Sequence, residues 1–87
     1  MEIYKVDLAG VTGIAQLHDR LADALPLPDW YGRNLDALND ALSEMQGEIM
    51  IQGIEEADDD MTDYLDRFQA VCIDADRDNP LLRIMFR

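Results

Sequence analysis

Three short segments of the chain have the residue pattern of β-strands. Residues 2–8, EIYKVDL, alternate between apolar and polar side chains, which is the period of two expected for a strand. Residues 48–52, EIMIQ, and 81–86, LLRIMF, are short and largely apolar, and they predict two further strands. The side chains expected on one face are Tyr4, Val6 and Leu8 in the first strand and Leu82, Ile84 and Phe86 in the last.

Three longer segments repeat apolar residues every three or four positions, which predicts helices. The candidate N-caps are Thr12, Asn34 and Thr62, because their side-chain oxygens can accept from the free N–H groups of a first helical turn. Residues 54–60, IEEADDD, carry five acids and predict an acidic loop or a frayed turn. The expected helices run from Ile14 to the prolines at 26 and 28, from behind Asn34 to near Gly47, and from Thr62 to about Ala75.

The order of elements is strand, helix, helix, strand, helix, strand. Strands that are separated by helices usually run parallel, joined by crossover connections. The pattern therefore predicts an α/β fold with a three-stranded parallel sheet packed with three to four helices. The 87 residues are enough for one small domain, so residues 1–87 are expected to form a single domain.

The acid–base balance narrows the classes of partner. The chain has nineteen Asp and Glu residues but only seven Lys and Arg, which gives a formal net charge of −12. Nucleic acids and anionic membranes select basic surfaces, so neither is an expected partner. The charge favours a basic protein or a cation, although acidity that only keeps the protein soluble gives the same composition. No segment has the pattern of a signal peptide or a membrane span, and the single cysteine cannot form an internal disulfide, so a cytoplasmic location is expected.

The second predicted helix places its acids on one side. Asp36, Asp40 and Glu44 are spaced four residues apart, opposite the apolar positions. Like charges at this spacing repel each other by about 0.2–0.5 kcal/mol per pair, and no Lys or Arg lies four residues away to relieve Asp40 or Glu44. This arrangement is typical of a surface that binds a positively charged partner.

The loop before this helix carries two adjacent aromatic residues. Trp30 and Tyr31 follow Pro28, and Gly32 is expected to supply a turn with positive φ. Two neighbouring side chains in an extended loop cannot both point inward, so at least one is expected to be exposed. An exposed aromatic beside acids has the composition of an interface hot spot.

Catalytic and metal-binding residues are not predicted. His18 is expected to border the core, and Cys72 lies on an apolar helix seam where it serves as a small hydrophobe. Residues 74–79, DADRDN, resemble the first half of a calcium-binding EF-hand loop, but Met85 occupies the position of the closing glutamate. No catalytic residue, metal site or cofactor is therefore expected, and an acidic, cation-responsive binding module remains as an alternative function.

Residues 27–42, LPDWYGRNLDALNDAL, closely resemble the signature of the barstar family, the intracellular inhibitors of barnase-type ribonucleases. The pattern matches from Leu27 to Leu42, and the order of strands and helices in the rest of the chain agrees with it. The resemblance implies a small parallel sheet with packed helices and a protein that is not an enzyme. It also implies that the loop and second helix block a nuclease active site, with acidic side chains in the place of RNA phosphates.

The resemblance implies roles for individual residues. Trp30 corresponds to the aromatic that enters the active-site cleft, Asp36 to an acid that meets the rim, and Asp40 to the acid that the phosphate-binding groups hold. Two positions depart from the best-known member, where Asn39 replaces a tryptophan and Arg33 replaces an acid. The full set of expected partner-binding residues is Trp30, Tyr31, Gly32, Asn34, Asp36, Asn39, Asp40, Glu44 and Asp74.

The partner that the resemblance implies is a basic extracellular ribonuclease. Because Arg33 and Asn39 lie within the expected contact surface, the alternative is an immunity protein directed against a different basic toxin nuclease. Without its partner, the chain is expected to be monomeric.

Overall fold

The computed structural model describes residues 2–87 and confirms the predicted α/β fold, with a three-stranded parallel sheet and three α-helices. The strands lie in the sheet in the order in which they occur along the chain, so the central strand comes from the middle of the chain. Two single-turn 3₁₀ helices, Ile54–Glu56 and Asp59–Met61, precede the third α-helix. The main elements are β1 (Ile3–Asp7), α1 (Ile14–Ala24), α2 (Leu35–Ser43), β2 (Gly47–Gln52), α3 (Thr62–Asp78) and β3 (Leu82–Phe86).

Burial alternates along the strands, so the sheet has one covered face. Val6 of β1 pairs in register with Ile51 of β2, and both side chains are almost completely buried. The helices contribute their apolar seams to the same core, in which Phe68 of α3 is fully buried. The other face is more open, because Lys5 is exposed and Met50 and Met85 are half-buried in the same row of the sheet. Alternation of this kind is what the sequence pattern of the first strand predicted.

Several helix ends differ from the predictions. Thr12 does not cap α1: the N-cap is Gly13, and the Thr12 hydroxyl is bonded to the side chain of Gln16 instead. Thr62 is the first residue of α3 and not its cap, and its hydroxyl donates to the carbonyl oxygen of Asp59. Helix α2 ends at Ser43 and not near Gly47. Helix α3 continues to Asp78, beyond the predicted end near Ala75.

The acidic segment between β2 and α3 is folded into turns. The backbone N–H of Asp58 donates to the carbonyl oxygen of Val11 at 2.9 Å, and Gly10 donates to Glu56 at 3.0 Å. The Asp58 side chain accepts from the backbone of Asp60, which fixes the second 3₁₀ turn. The segment is thus tied to the loop after β1, and its acids are held on the surface.

Candidate partner-binding surface

The loop between α1 and α2 is shaped by its prolines and by one left-handed residue. Helix α1 gives way to extended backbone at Leu25, and the N–H of Tyr31 donates to the carbonyl oxygen of Pro28 at 3.0 Å. The residue with positive φ is Arg33, at 56°, and not Gly32 as the sequence predicted. A non-glycine residue adopts this conformation only at a cost, so neighbouring contacts must hold the turn.

Asn34 connects this loop to α2. Its side-chain oxygen accepts from the backbone N–H of Ala37 at 2.8 Å, which confirms it as the N-cap. Its side-chain nitrogen donates to the carbonyl oxygen of Gly32 at 3.2 Å. A single side chain therefore fixes both the last turn of the loop and the start of the helix.

The two adjacent aromatics point in different directions. Trp30 is 59% exposed, whereas Tyr31 is half-buried against the core. The prediction that at least one of them is exposed is confirmed. The Tyr31 hydroxyl is hydrogen-bonded to Nδ1 of His18, and burial raises the pKa of Tyr31 above its ordinary value, so this hydroxyl stays protonated.

His18 joins three elements, which its place in the sequence did not indicate. It is fully buried, with Nδ1 bonded to Tyr31 and Nε2 at 2.7 Å from the hydroxyl of Tyr64 on α3. Burial, with a further contribution from the charge of Arg33, lowers the pKa of His18 below 6.5. The neutral imidazole therefore links α1, the loop and α3. Tyr64 gave no signal in the sequence, because it is 46 residues from His18 along the chain.

Three acids form an exposed row along α2, which we call the acidic ridge: Asp36, Asp40 and Glu44. The opposite side of the helix, with Leu38 and Leu42, is buried. Within residues 2–87, no Lys or Arg forms an ion pair with any acid of the ridge. The ridge thus presents carboxylates that no cationic side chain of the described part of the chain pairs with.

Arg33 is the cation nearest to the ridge in sequence, but its charge has an internal partner. Its guanidinium forms an ion pair with Asp19 of α1. Both side chains are more than half exposed, so the pair contributes little to stability. It does hold the guanidinium towards α1 and offsets its charge.

Asn39 lies at the boundary between α2 and α3, and Asp74 is a residue of α3. Asn39 is exposed and lines a cleft of about 310 Å³ together with Ser43, Ala75, Asp78, Asn79 and Pro80. Asp74 is also exposed, but it forms an ion pair of 3.2 Å with Arg77. Of the predicted partner-binding residues, Asp74 is therefore the one acid that already has a cationic neighbour.

Asn79 fixes the C-terminal end of α2, through a contact that the sequence did not indicate. The side-chain nitrogen of Asn79 lies 3.0 Å from the carbonyl oxygen of Leu42 and 2.9 Å from that of Met45. Its side-chain oxygen accepts from the backbone N–H of Leu81 at 3.1 Å. Asn79 thus satisfies carbonyl groups that the end of a helix leaves free, and it ties α2 to the turn before β3.

The segment that resembled a calcium loop is helical. Asp74, Asp76 and Asp78 belong to α3, and Asp76 accepts from the backbone N–H of Ile84 at 3.2 Å. In residues 2–87, no group of three His, Cys, Asp or Glu side chains is placed to hold a metal ion. In the same part of the chain, no helix combines the length and the apolar character needed to cross a bilayer.

Comparisons with known proteins show what the chain is similar to. The family model described as barstar (barnase inhibitor) matches residues 1–87. A protein of Bacillus subtilis (strain 168) named "Putative ribonuclease inhibitor YrdF" is 53% identical over 38 residues. That match spans 44% of this chain and 42% of the relative's length.

Proposed function

The chain belongs to the barstar family, whose members are inhibitors and not enzymes, and we propose that it inhibits a barnase-type microbial ribonuclease. In this proposal, the acidic ridge and the Trp30 loop cover the basic active site of the nuclease. The proposal includes a basic, extracellular target, a cytoplasmic inhibitor that protects the producing cell, and a monomer when the target is absent.

The observation that carries the proposal is the unneutralised acidic ridge beside an exposed tryptophan. A nuclease active site is positively charged because it binds phosphate, so carboxylates at fixed spacing can occupy the phosphate positions. Trp30 supplies apolar contact area next to these charges, as interface hot spots do. This mechanism needs no catalytic group, metal or cofactor in the inhibitor.

Asn39 supports a second candidate of the same kind. It gives the α2–α3 boundary a cleft of about 310 Å³ at a position where the best-known family member carries a tryptophan. A different complementary group on the nuclease would fit this cleft. The second candidate is therefore an immunity protein for another basic toxin nuclease, bound through the same ridge.

An inhibition assay tests the proposal. Stoichiometric amounts of the protein are added to a barnase-type ribonuclease, and RNA cleavage is followed at 0.01 M and 0.15 M salt. We expect tight one-to-one inhibition with faster association at low salt, because screening between exposed charges is weaker there.

The Asp40→Ala variant locates the site. Truncating one partner of a buried, hydrogen-bonded charge pair costs about 2–5 kcal/mol, which is a loss of roughly 30- to 5,000-fold in affinity. The scale is that of charge pairs at the barnase–barstar interface, the family's own complex. Asp66→Ala is the matched control, because Asp66 is an exposed acid of α3 that lines a different cleft, beside Glu55. Equal inhibition by the wild type and Asp40→Ala would mean that the ridge is not the binding surface.

A further inference from the structure

A shallow cleft beside the acidic ridge has the chemistry of a site for one cationic side chain. It lies between the loop that follows α1 and the C-terminal end of α2, and it encloses about 220 Å³. One wall carries an exposed indole and another carries an exposed carboxylate. The lining residues are Pro26, Pro28, Trp30, Ala41, Glu44 and Met45.

The floor and sides of this cleft are fixed before any partner arrives. Ala41 and Met45 are 4% and 8% exposed, so they belong to the packed interior. Pro26 and Pro28 have restricted φ angles, and the backbone N–H groups of Leu27 and Tyr31 close turns on the carbonyl oxygens of Leu25 and Pro28. A partner side chain therefore enters a preformed cleft and does not have to order these groups, which lowers the entropic cost of binding.

Glu44 occupies an electrostatically unfavourable position in the free protein. It is the C-cap of α2, and the last turn of that helix contains no basic residue. The C-terminal end of a helix carries partial negative charge, so a carboxylate there is repelled and a cation is attracted. Asp40 lies one turn earlier and adds to the negative potential, and residues 2–87 supply no ion-pair partner for either acid.

We propose that the cleft between Trp30 and Glu44 binds one arginine side chain of the basic partner. A guanidinium group is planar, so it can stack on the indole of Trp30 while it donates two hydrogen bonds to the Glu44 carboxylate. A lysine ammonium is compact and more strongly hydrated, and it has neither a planar face to stack on the indole nor a planar pair of donors for the carboxylate. The inference rests on the proposed function, because the arginine comes from the nuclease. It adds that an arginine of the nuclease lies next to the nuclease group that binds Asp40.

The site can be tested on the free protein with a small probe. Nitrogen-15 NMR spectra of the isolated protein are recorded during titration with N-acetyl-arginine amide at constant ionic strength. N-acetyl-citrulline amide, which has nearly the same shape without the charge, is the control probe. We expect shifts at the indole N–H of Trp30, the only tryptophan of the chain, and at the backbone amides of Glu44 and Met45. Half-saturation is expected on the order of 100 mM, since the contacts are exposed.

Two variants assign the binding energy. Glu44→Gln keeps the size of an exposed side chain and is expected to abolish the arginine-specific shifts. Asp66→Asn, at an exposed acid of α3 that does not line this cleft, is expected to leave them unchanged. The arginine site is wrong if arginine and citrulline probes give the same shifts, or if Glu44→Gln responds like the wild type. Because no nuclease is present, such a result leaves the inhibition proposal standing, whereas failure to inhibit with the arginine shifts intact would refute only the proposed function.

Discussion

Replacing Tyr31 with phenylalanine removes one hydroxyl group and tests the contact that holds the binding loop to the interior. In the wild type, this hydroxyl is bonded to Nδ1 of His18, which is fully buried. The phenyl ring can fill the same space, so the variant leaves the apolar packing in place. What changes is that one imidazole nitrogen loses its partner at a position that water does not reach.

The cost follows from this burial. A buried polar atom left without a hydrogen bond destabilises the folded state by about 1–3 kcal/mol. Water would offset that cost at an exposed site, but His18 has no exposed surface. For a domain of this size, each kcal/mol lowers the melting temperature by about 4–8 °C. Since the total stability of small domains is about 5–15 kcal/mol, the loss is a substantial fraction of it.

Urea unfolding followed by far-UV circular dichroism measures this effect directly. Tyr4→Phe is the matched control, because Tyr4 also packs against the core but its hydroxyl makes no hydrogen bond within residues 2–87. We expect a lower midpoint for Tyr31→Phe with an unchanged slope, and a free energy near the wild-type value for Tyr4→Phe. If both variants lose the same amount, or neither loses more than about 0.5 kcal/mol, the His18–Tyr31 bond does not stabilise the loop.

Two further predictions concern pH and the end of α2. Because folding lowers the pKa of His18, the unfolded chain takes up a proton first as the pH falls. The stability that the neutral, buried His18 contributes is therefore complete above about pH 6.5 and decreases as the pH falls towards the folded-state pKa. An NMR titration of this single histidine should give a value below 6.5, and a higher value would contradict the assigned burial. Asn79→Ala should lower the free energy of unfolding in urea by about 1–3 kcal/mol, because it leaves the partly buried carbonyl oxygens of Leu42 and Met45 without their donor. A loss under about 0.5 kcal/mol would mean that water replaces the side-chain amide.

The fold could be predicted from local patterns because each element carries its own periodicity. The alternation in β1 and the three-to-four spacing in the helices are properties of short segments. The errors lie at the ends of helices, where distant groups decide. Helix α2 ends at Ser43, where the side-chain amide of Asn79 donates to the free carbonyl groups of the helix end. Asn79 is far from this helix end along the chain. Nothing near residues 42–45 in the sequence indicates that contact.

The same distinction applies to the partner-binding surface. The acidic ridge could be predicted, because Asp36, Asp40 and Glu44 are one helical turn apart. The pairing of Arg33 with Asp19 could not, because the two residues are 14 positions apart and meet only when the loop folds over α1. The pairing shows how the positive charge of Arg33 is accommodated within the expected contact surface. The positive charge beside the ridge is offset within the protein, so Arg33 is not an unbalanced cation facing a basic partner.

The exposure of Trp30 is a consequence of how Tyr31 is held. The N–H of Tyr31 closes a turn on the carbonyl oxygen of Pro28, and Trp30 lies in that turn, so the bond from Tyr31 to His18 holds the turn that leaves Trp30 exposed. An exposed tryptophan is unfavourable in the free protein, and without the anchor the loop could turn the indole towards the core. The buried His18, which has no direct access to a partner, therefore presets the loop for binding. On this reasoning, Tyr31→Phe should weaken inhibition as well as stability, even though its ring and all acids of the ridge remain.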